Sequence, residues 1–122
     1  MPGHNKIVGA YGESLAKNYL IKNGYNIIEN NVKISFKEID IIAEKDQVLI
    51  FVEVKTRTSL LFGLADDAIS QQKIQTLKKA ISLYFNRVNN IIYHKDIRLD
   101  FISIDINKDQ KTAHIKHFKD IA

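Results

Sequence analysis

The chain of 122 residues, of which 45% are hydrophobic and 26% charged, has the size and composition of one globular domain, so residues 1–122 are predicted to form a single domain. Cysteine is absent, which excludes disulfides, thiolate zinc sites and a cysteine nucleophile, and no stretch is apolar enough for a signal peptide or a membrane span, so we expect a cytoplasmic protein without a membrane partner. The formal net charge of +4 favours polyanionic partners such as nucleic acid.

The first half of the chain predicts one helix followed by three strands. The helix runs from about Lys6 to Lys22 and ends at Asn23-Gly24, a pair typical of helix C-termini. Its helically spaced apolar residues are Val8, Tyr11, Leu15 and Tyr19. The strands are rich in β-branched and aromatic residues and are separated by polar turns, which predicts a meander. They run from Tyr25 to Val32, from Lys37 to Glu44 and from Gln47 to Thr56.

The second half predicts a loop, a helix and two more strands. The loop extends from Thr58 to Ala65 and contains Gly63, and Asp66 and Asp67 suit the helix N-terminus that follows. The apolar stripe of this helix is Ile74, Leu77, Ile81 and Phe85. The last strands run from Ile97 to Asp105 and from Ala113 to Phe118, with a turn at Asn107 to Gln110 between them. The predicted order is therefore α-β-β-β-α-β-β, an α/β fold.

Opposite charges end the apolar run of the third strand, Val48 to Val52. Glu53 and Lys55 follow that run and are separated by one residue, so their side chains share a face of the strand. Charges on a buried strand are unfavourable unless a partner or a metal compensates them. The pair therefore indicates a functional site.

Asp40, on the preceding strand, is placed to join Glu53. A two-residue turn at Asp46-Gln47 sets the two residues directly opposite each other, whereas a turn at Lys45-Asp46 sets them diagonally. Either register keeps both carboxylates on the face of Lys55, and a shift of one residue would turn Asp40 away. Neighbouring carboxylates repel each other unless a cation lies between them, and hard oxygen ligands suit Mg²⁺ or Mn²⁺. Magnesium binding is the natural interpretation.

The residues Asp40, Glu53 and Lys55 match the Asp, then Glu-x-Lys, signature of the PD-(D/E)XK nucleases. A wider pattern, from Gly9 to about Asp105, resembles the YraN-like family of uncharacterised bacterial proteins, which is similar to archaeal Holliday junction resolvases. It comprises Gly12-Glu13, Gly24-Tyr25, Glu38-Ile39-Asp40, Phe51 to Lys55, Arg57, Gly63, Lys73 and Arg98-Leu99-Asp100. The resemblance implies a restriction-endonuclease-like core, a mixed sheet of four to five strands flanked by helices.

One position departs from the family pattern. Lys37 stands immediately before the Glu-Ile-Asp run, where the family usually has glycine. The substitution adds a cation near the proposed metal and removes none of the proposed ligands. The site assignment is therefore unchanged by it.

The resemblance also implies a role for each site residue. Asp40, Glu53 and the backbone carbonyl of Val54 would hold Mg²⁺ or Mn²⁺, and Lys55 would position the attacking water and offset charge in the transition state. Glu13 would reach the metal from the first helix, directly or through water. The expected phosphate contacts are Arg57, Gln72 and Lys73.

The sequence leaves a structural alternative open for each acidic residue. Glu53 and Lys55 could form an exposed ion pair, and Asp40 could cap a turn or pair with a lysine of a neighbouring strand. Glu13 could pair with Lys17, four residues later on the helix.

Several basic and aromatic residues also have structural explanations. Gln72 and Lys73 could belong to the solvated face of the second helix, and Arg57 could be an ordinary loop charge. Arg98 and Asp100 are expected to pair for structure. The four histidines are predicted to lie at the surface; they are His4, His94, His114 and His117.

These observations predict a metal-dependent nuclease that acts on DNA, including branched DNA. A symmetric four-way junction has two scissile strands, so resolution of such a junction implies a homodimer. Two alternatives remain: a nucleic-acid-binding module of the same fold without turnover, and an accessory protein whose site holds a metal or an ion pair for structure.

Overall fold

The structure is a computed structural model and describes residues 2–58, 69–87 and 96–122. Its elements follow the predicted order of one helix, three strands, one helix and two strands. In chain order they are α1 (Pro2–Lys22), β1 (Asn26–Ile34), β2 (Lys37–Lys45), β3 (Val48–Thr58), α2 (Gln71–Arg87), β4 (Asp96–Asn107) and β5 (Thr112–Phe118).

The helices begin at different residues from those predicted. α1 starts at Pro2 rather than Lys6, and proline is favoured in the first turn of a helix. α2 starts at Gln71 because Ser70 caps it: the Lys73 N–H donates to Ser70 Oγ at 3.1 Å. The predicted loop residues from 59 to 65, with Gly63, and the predicted helix start at Asp66 and Asp67 lie outside the described residues.

The five strands form one sheet in the order β1-β2-β3-β4-β5. β1 pairs with β2, β2 with β3 and β4 with β5 in antiparallel fashion, whereas β3 and β4 are parallel. A parallel pair needs a crossover connection, and α2 lies within it. The mixed sheet flanked by helices that the resemblance implied is confirmed.

Each face of the sheet is covered by one helix, and β3 alternates between the two cores. Leu49 and Phe51 pack on the α2 side, while Ile50 and Val52 pack on the α1 side. The predicted stripe of α2 is confirmed, since Ile74, Leu77 and Ile81 are buried and Phe85 packs beside them.

The predicted stripe of α1 is wrong at Tyr11, which is 55% exposed. The helix instead turns Gly12, Ala16 and Leu20 towards the sheet, all three buried. Glycine and alanine carry little hydrophobic signal, yet they let a helix approach a sheet closely, so the pattern of large apolar residues misses this face.

The β2–β3 hairpin has the turn that sets Asp40 opposite Glu53. Asp46 and Gln47 form it with φ angles of 53° and 66°, as in a type I′ turn, which matches the twist of the strands. The pairs run from Lys45↔Val48 to Ile41↔Val52. The next step in this register brings Asp40 and Glu53 face to face.

No helix among the described residues is long and apolar enough to cross a membrane.

Candidate active site

Glu53 ends the buried part of β3 and receives two lysine ammonium groups on one oxygen. Lys73 Nζ, from α2, lies 3.0 Å from Glu53 Oε2, and Lys37 Nζ, at the start of β2, lies 3.5 Å from it. The Glu53 side chain is only 11% exposed. Its other oxygen, Oε1, is buried and has no hydrogen-bond partner among the described residues. Such an oxygen is unfavourable unless a proton or a cation satisfies it.

Asp40 lies at the point where β2 separates from β3. The ladder between these strands ends at the pair Ile41↔Val52, and Asp40 Oδ2 accepts the next inward-facing N–H, that of Val54, at 2.8 Å. In a strand the N–H and C=O of one residue point the same way. The Val54 carbonyl therefore faces the side on which Asp40 lies.

The carboxyl groups of Asp40 and Glu53 are close enough to change each other's ionisation. Burial, and then the negative charge of Glu53, raises the pKa of Asp40 from 3.8 to about 8, although the hydrogen bond from Val54 N–H opposes the rise. The closeness of the two carboxyl groups adds to the rise, because a proton on one of them removes their mutual repulsion. Asp40 thus holds a proton at neutral pH unless another cation takes its place.

This pair of residues fits a hard divalent cation. The donors are two carboxylates and the Val54 carbonyl, all oxygen, and Glu53 Oε1 lacks a partner within the part of the chain that the structure describes. Among the described residues, no three His, Cys, Asp or Glu side chains come together as a ready metal site. Water molecules would therefore complete the coordination shell, as is usual for Mg²⁺.

The two lysines beside Glu53 also interact with each other. Burial and then the neighbouring Lys73 lower the pKa of Lys37. Burial lowers the pKa of Lys73 too, but its contacts with Lys37 and Glu53 outweigh burial and leave this pKa raised. The cation that the sequence predicted at position 37 does reach the site. Both lysines occupy the oxygen next to the proposed metal position.

Glu13 approaches the site from α1 because the preceding residue is glycine. A Cβ at Gly12 would overlap the side chain of Thr56 on β3, so only glycine allows this approach. Burial and then the nearby Glu38 carboxylate raise the pKa of Glu13, and Glu53 adds to the rise. Glu13 therefore lies in the negative field of the site without joining Asp40 and Glu53 in one ligand group.

Asn31, which the sequence analysis did not single out, links Glu13 to the hairpin. With its amide oriented to donate, Asn31 Nδ2 lies 2.6 Å from Glu13 Oε1 and 3.2 Å from Glu38 Oε1. A single asparagine in a polar strand gives no sequence signal for such a role.

Lys55 lies in the same cleft as Glu53 and is exposed to solvent. The cleft has a volume of about 390 Å³ and also takes in Ser70 and Lys73 at the start of α2. Lys55 forms no ion pair with another described residue. Lys55 is therefore an exposed cation beside this cleft.

The three residues expected to contact phosphate differ in position. Arg57 donates from Nε to Asp105 Oδ1 at 3.0 Å and from Nη2 to Ser103 Oγ at 3.3 Å, so its guanidinium is engaged within the sheet. Lys73 contacts Glu53. Gln72 is exposed on α2. Only Lys73 is brought to the carboxylates.

A second polar cluster lies on the α1 side of the sheet, where the predicted pair Arg98 and Asp100 does form. Arg98 Nε donates to Asp100 Oδ1 at 2.8 Å, and His117 Nε2 lies 2.7 Å from Asp100 Oδ2. Tyr19 OH is 3.0 Å from His117 Nδ1. The prediction that all four histidines lie at the surface is wrong for His117, whose side chain is 5% exposed. His117 follows Ala113 and Ile115 on one face of β5, and Ile115 packs on the α1 side of the sheet.

Known proteins resemble the chain over most of its length. Residues 12–104 match the family described as uncharacterised protein family UPF0102. A UPF0102 protein of Flavobacterium psychrophilum is 41% identical over 120 residues, covering 98% of this chain and 96% of the relative. A UPF0102 protein of Syntrophomonas wolfei is 42% identical over 100 residues, covering 82% and 85%. A solved XisH family protein from Nostoc punctiforme has a TM-score of 0.37 and 15% identity, covering 88% of this chain and 98% of that one.

Proposed function

The chain belongs to the uncharacterised protein family UPF0102, and from its candidate active site we propose that it is a cytoplasmic, metal-dependent nuclease that hydrolyses phosphodiester bonds of DNA, including branched DNA. The observation that supports this most strongly is the pairing of the partly buried Asp40 carboxyl with the buried Glu53 carboxyl, one oxygen of which has no partner among the described residues. Proteins keep such a pair where it binds a cation or moves a proton.

Each residue of the site has a role in this proposal. Asp40, Glu53 and the Val54 carbonyl would hold Mg²⁺ or Mn²⁺, with Glu13 contributing through water. When bound, such an ion polarises a phosphodiester and makes water more acidic. Lys55, exposed beside Glu53, would orient the attacking water and offset the negative charge that develops at phosphorus.

The basic residues at the start of α2 would hold the substrate. Lys73 contacts Glu53, and it would turn to a phosphate oxygen once a metal neutralises that carboxylate. Gln72 is exposed and would donate to a neighbouring phosphate. Arg57, held by Asp105, would mainly position β3, with a phosphate contact as its secondary role.

A nucleic-acid-binding module without turnover is the second candidate, because Lys37 and Lys73 already neutralise Glu53. In that case the two lysines replace the metal permanently. Binding to DNA would then be as strong in a chelator as in Mg²⁺ or Mn²⁺.

Purified protein on linear, flapped and four-way-junction DNA, with and without Mn²⁺, tests the proposal. We expect cleavage only with the metal, abolished in Glu53→Gln and reduced about a hundredfold in Lys55→Ala. Asp109→Asn, an exposed turn residue, is the matched control and should cleave normally. Cleavage that persists unchanged in Glu53→Gln would disprove the assigned roles.

Resolution of four-way junctions would require a homodimer. Sedimentation velocity at the assay concentration measures the oligomeric state. A monomer that still cuts both strands of a junction symmetrically would contradict this part of the proposal.

A further inference from the structure

A groove runs beside the candidate active site, between α2 and the turn that joins β1 to β2. Its volume is about 350 Å³. The residues that line it and matter here are Ile34, Phe36, Lys37, Thr76, Lys79 and Leu83. The lining therefore carries two lysines together with apolar side chains, and no carboxylate among the described residues.

Phe36 stands at the tip of the turn with its whole side chain in solvent, at a relative exposure of 106%. The preceding residue, Ser35, has a φ of 56°. Turns of this kind favour small or polar residues, and phenylalanine contributes nothing to the bend. The ring also belongs to neither hydrophobic core of the described residues. Leu83, across the groove, is 46% exposed and gives the groove a second apolar wall.

Lys37 connects the groove with Glu53. Lys37 follows Phe36 in the chain, and its ammonium lies 3.5 Å from Glu53 Oε2. On α2, Lys73 contacts the same oxygen at 3.0 Å, and Lys79 lies six residues further on, fewer than two helical turns away. Six residues of helix span about 9 Å, and a DNA strand advances about 3.4 Å per nucleotide. The groove thus lies roughly two or three nucleotides from a phosphate at the site.

We propose that this groove binds an unpaired base of the DNA strand that is cut, by stacking the base on Phe36 while Lys37 and Lys79 lie along the phosphates. Aromatic rings flanked by cations are the usual means of holding single-stranded nucleic acid. The absence of carboxylates from the lining favours a polyanion over a peptide. Within a duplex, base faces are covered by their neighbours, so the groove selects flaps, gaps and opened junctions.

This inference rests on the proposed function in one respect, because a strand is cut beside the groove only if the protein is a nuclease. Binding of the base itself needs no metal. The chain contains no tryptophan, so Phe36→Trp places a single fluorescent reporter at the tip. With oligothymidylate in a chelator, we expect its emission to be quenched. The matched control is Tyr11→Trp, which is exposed on α1 across the sheet and should not respond. Unchanged emission of Phe36→Trp would overturn the inference.

Affinities give a second measurement. Phe36→Ala should bind oligothymidylate about fivefold more weakly, since stacking on one aromatic side chain has roughly that effect or more. Its affinity for duplex DNA should stay at the wild-type value, and Phe36→Tyr should keep both affinities. An equal loss on single-stranded and duplex DNA would overturn the role of the ring.

The two proposals fail separately. A protein that is quenched by single strands but cleaves nothing in Mn²⁺ contradicts the nuclease and supports the groove. A protein that cleaves DNA while Phe36→Trp stays unquenched contradicts the groove alone.

Discussion

Asp40 and Glu53 lie one step beyond the last pair of a hairpin ladder, and this position explains their chemistry. Up to Ile41↔Val52 the backbone groups satisfy each other. Beyond that pair the Val54 N–H turns to the Asp40 carboxylate, which fixes that side chain beside Glu53. The site thus depends on a side chain that replaces a backbone partner where two strands separate.

The raised pKa of Asp40 predicts how stability changes with pH. Asp40 keeps its proton in the folded protein up to about pH 8, whereas an unperturbed carboxyl releases it near 3.8. The protonated Asp40 therefore makes its full contribution to the free energy of unfolding below pH 3.8, and this contribution is lost as the pH rises to about 8. Asp40→Asn has no proton to lose, so its free energy of unfolding should fall less over this range. Urea denaturation in a chelator at a series of pH values measures this.

The control for that series is Asp109→Asn, which changes an exposed carboxyl in the same way. It should retain the pH dependence of the wild type. If the free energy of unfolding of Asp40→Asn changes with pH as steeply as that of the wild type, Asp40 is not the group with the raised pKa.

Lys37 predicts the strength of metal binding. Its ammonium shares Glu53 Oε2 with Lys73 and repels any cation placed there. Removing this charge in Lys37→Gln should tighten Mn²⁺ binding by roughly three- to tenfold, as measured by isothermal titration calorimetry. Lys22→Gln, at the end of α1, should leave the affinity unchanged. An unaltered affinity in Lys37→Gln would mean that Lys37 moves away at no energetic penalty.

At the scale of elements, the approach of α1 to β3 depends on the lack of a side chain at Gly12. Gly12→Ala should lower the free energy of unfolding by about 1–3 kcal/mol, because the added Cβ overlaps Thr56. Gly9→Ala is the matched control: it lies on the same helix with open space around it, and should stabilise by up to about 1 kcal/mol. Urea denaturation of both variants decides whether close packing at Gly12 is required.

Much of the fold is predictable from the sequence because its signals are local. The strand periodicity predicts the meander, and the polar residues between the second and third strands place the turn at Lys45-Asp46 or at Asp46-Gln47, of which the structure has the latter. The stripe of α2 follows from helical spacing alone. These features depend on residues that are near one another in the chain.

What the sequence did not predict depends on contacts between distant elements. Lys73 pairs with Glu53 only because the crossover lays α2 over β3, and Asn31 meets Glu13 only through the folded sheet. His117 faces inward because Asp100, on the next strand, accepts its hydrogen bond. Such partners lie far apart in sequence and leave no periodic signal.

For the whole molecule, Asp100 connects β4, β5 and the C-terminal segment. Burial raises its pKa, but hydrogen bonds from His117, Arg98 and the Asp120 N–H outweigh burial and leave the pKa below 3.8. Its stabilisation is therefore present above pH 3.8 and is lost as the pH falls below that value. Asp40 loses its contribution to stability as the pH rises, whereas Asp100 loses its contribution as the pH falls. The two carboxyl groups therefore limit the pH range of stability from opposite sides.

Asp100→Asn tests this connection. Asparagine keeps one acceptor oxygen but removes the negative charge and places an NH2 donor against Arg98 or His117, so unfolding at neutral pH should become easier by about 3 kcal/mol. Well below pH 3.8 the wild type is protonated too, and the difference should shrink. Chemical denaturation at the two pH values measures it. An equal difference in acid would show that shape rather than charge is responsible.

The parallel pairing of β3 with β4 has a consequence for the order of folding. It joins Val48 to Asp96, which are 48 positions apart (96 − 48), whereas the pairs from β1 to β3 are closed by short turns. Chain closure over such a distance is slow and comes after local hairpins. Glu13, Asp40 and Glu53 all precede the crossover, so during synthesis the acidic cluster can gather on a nascent three-stranded unit before its C-terminal neighbour exists. The open β3 edge of that unit is then the surface most exposed to misassembly.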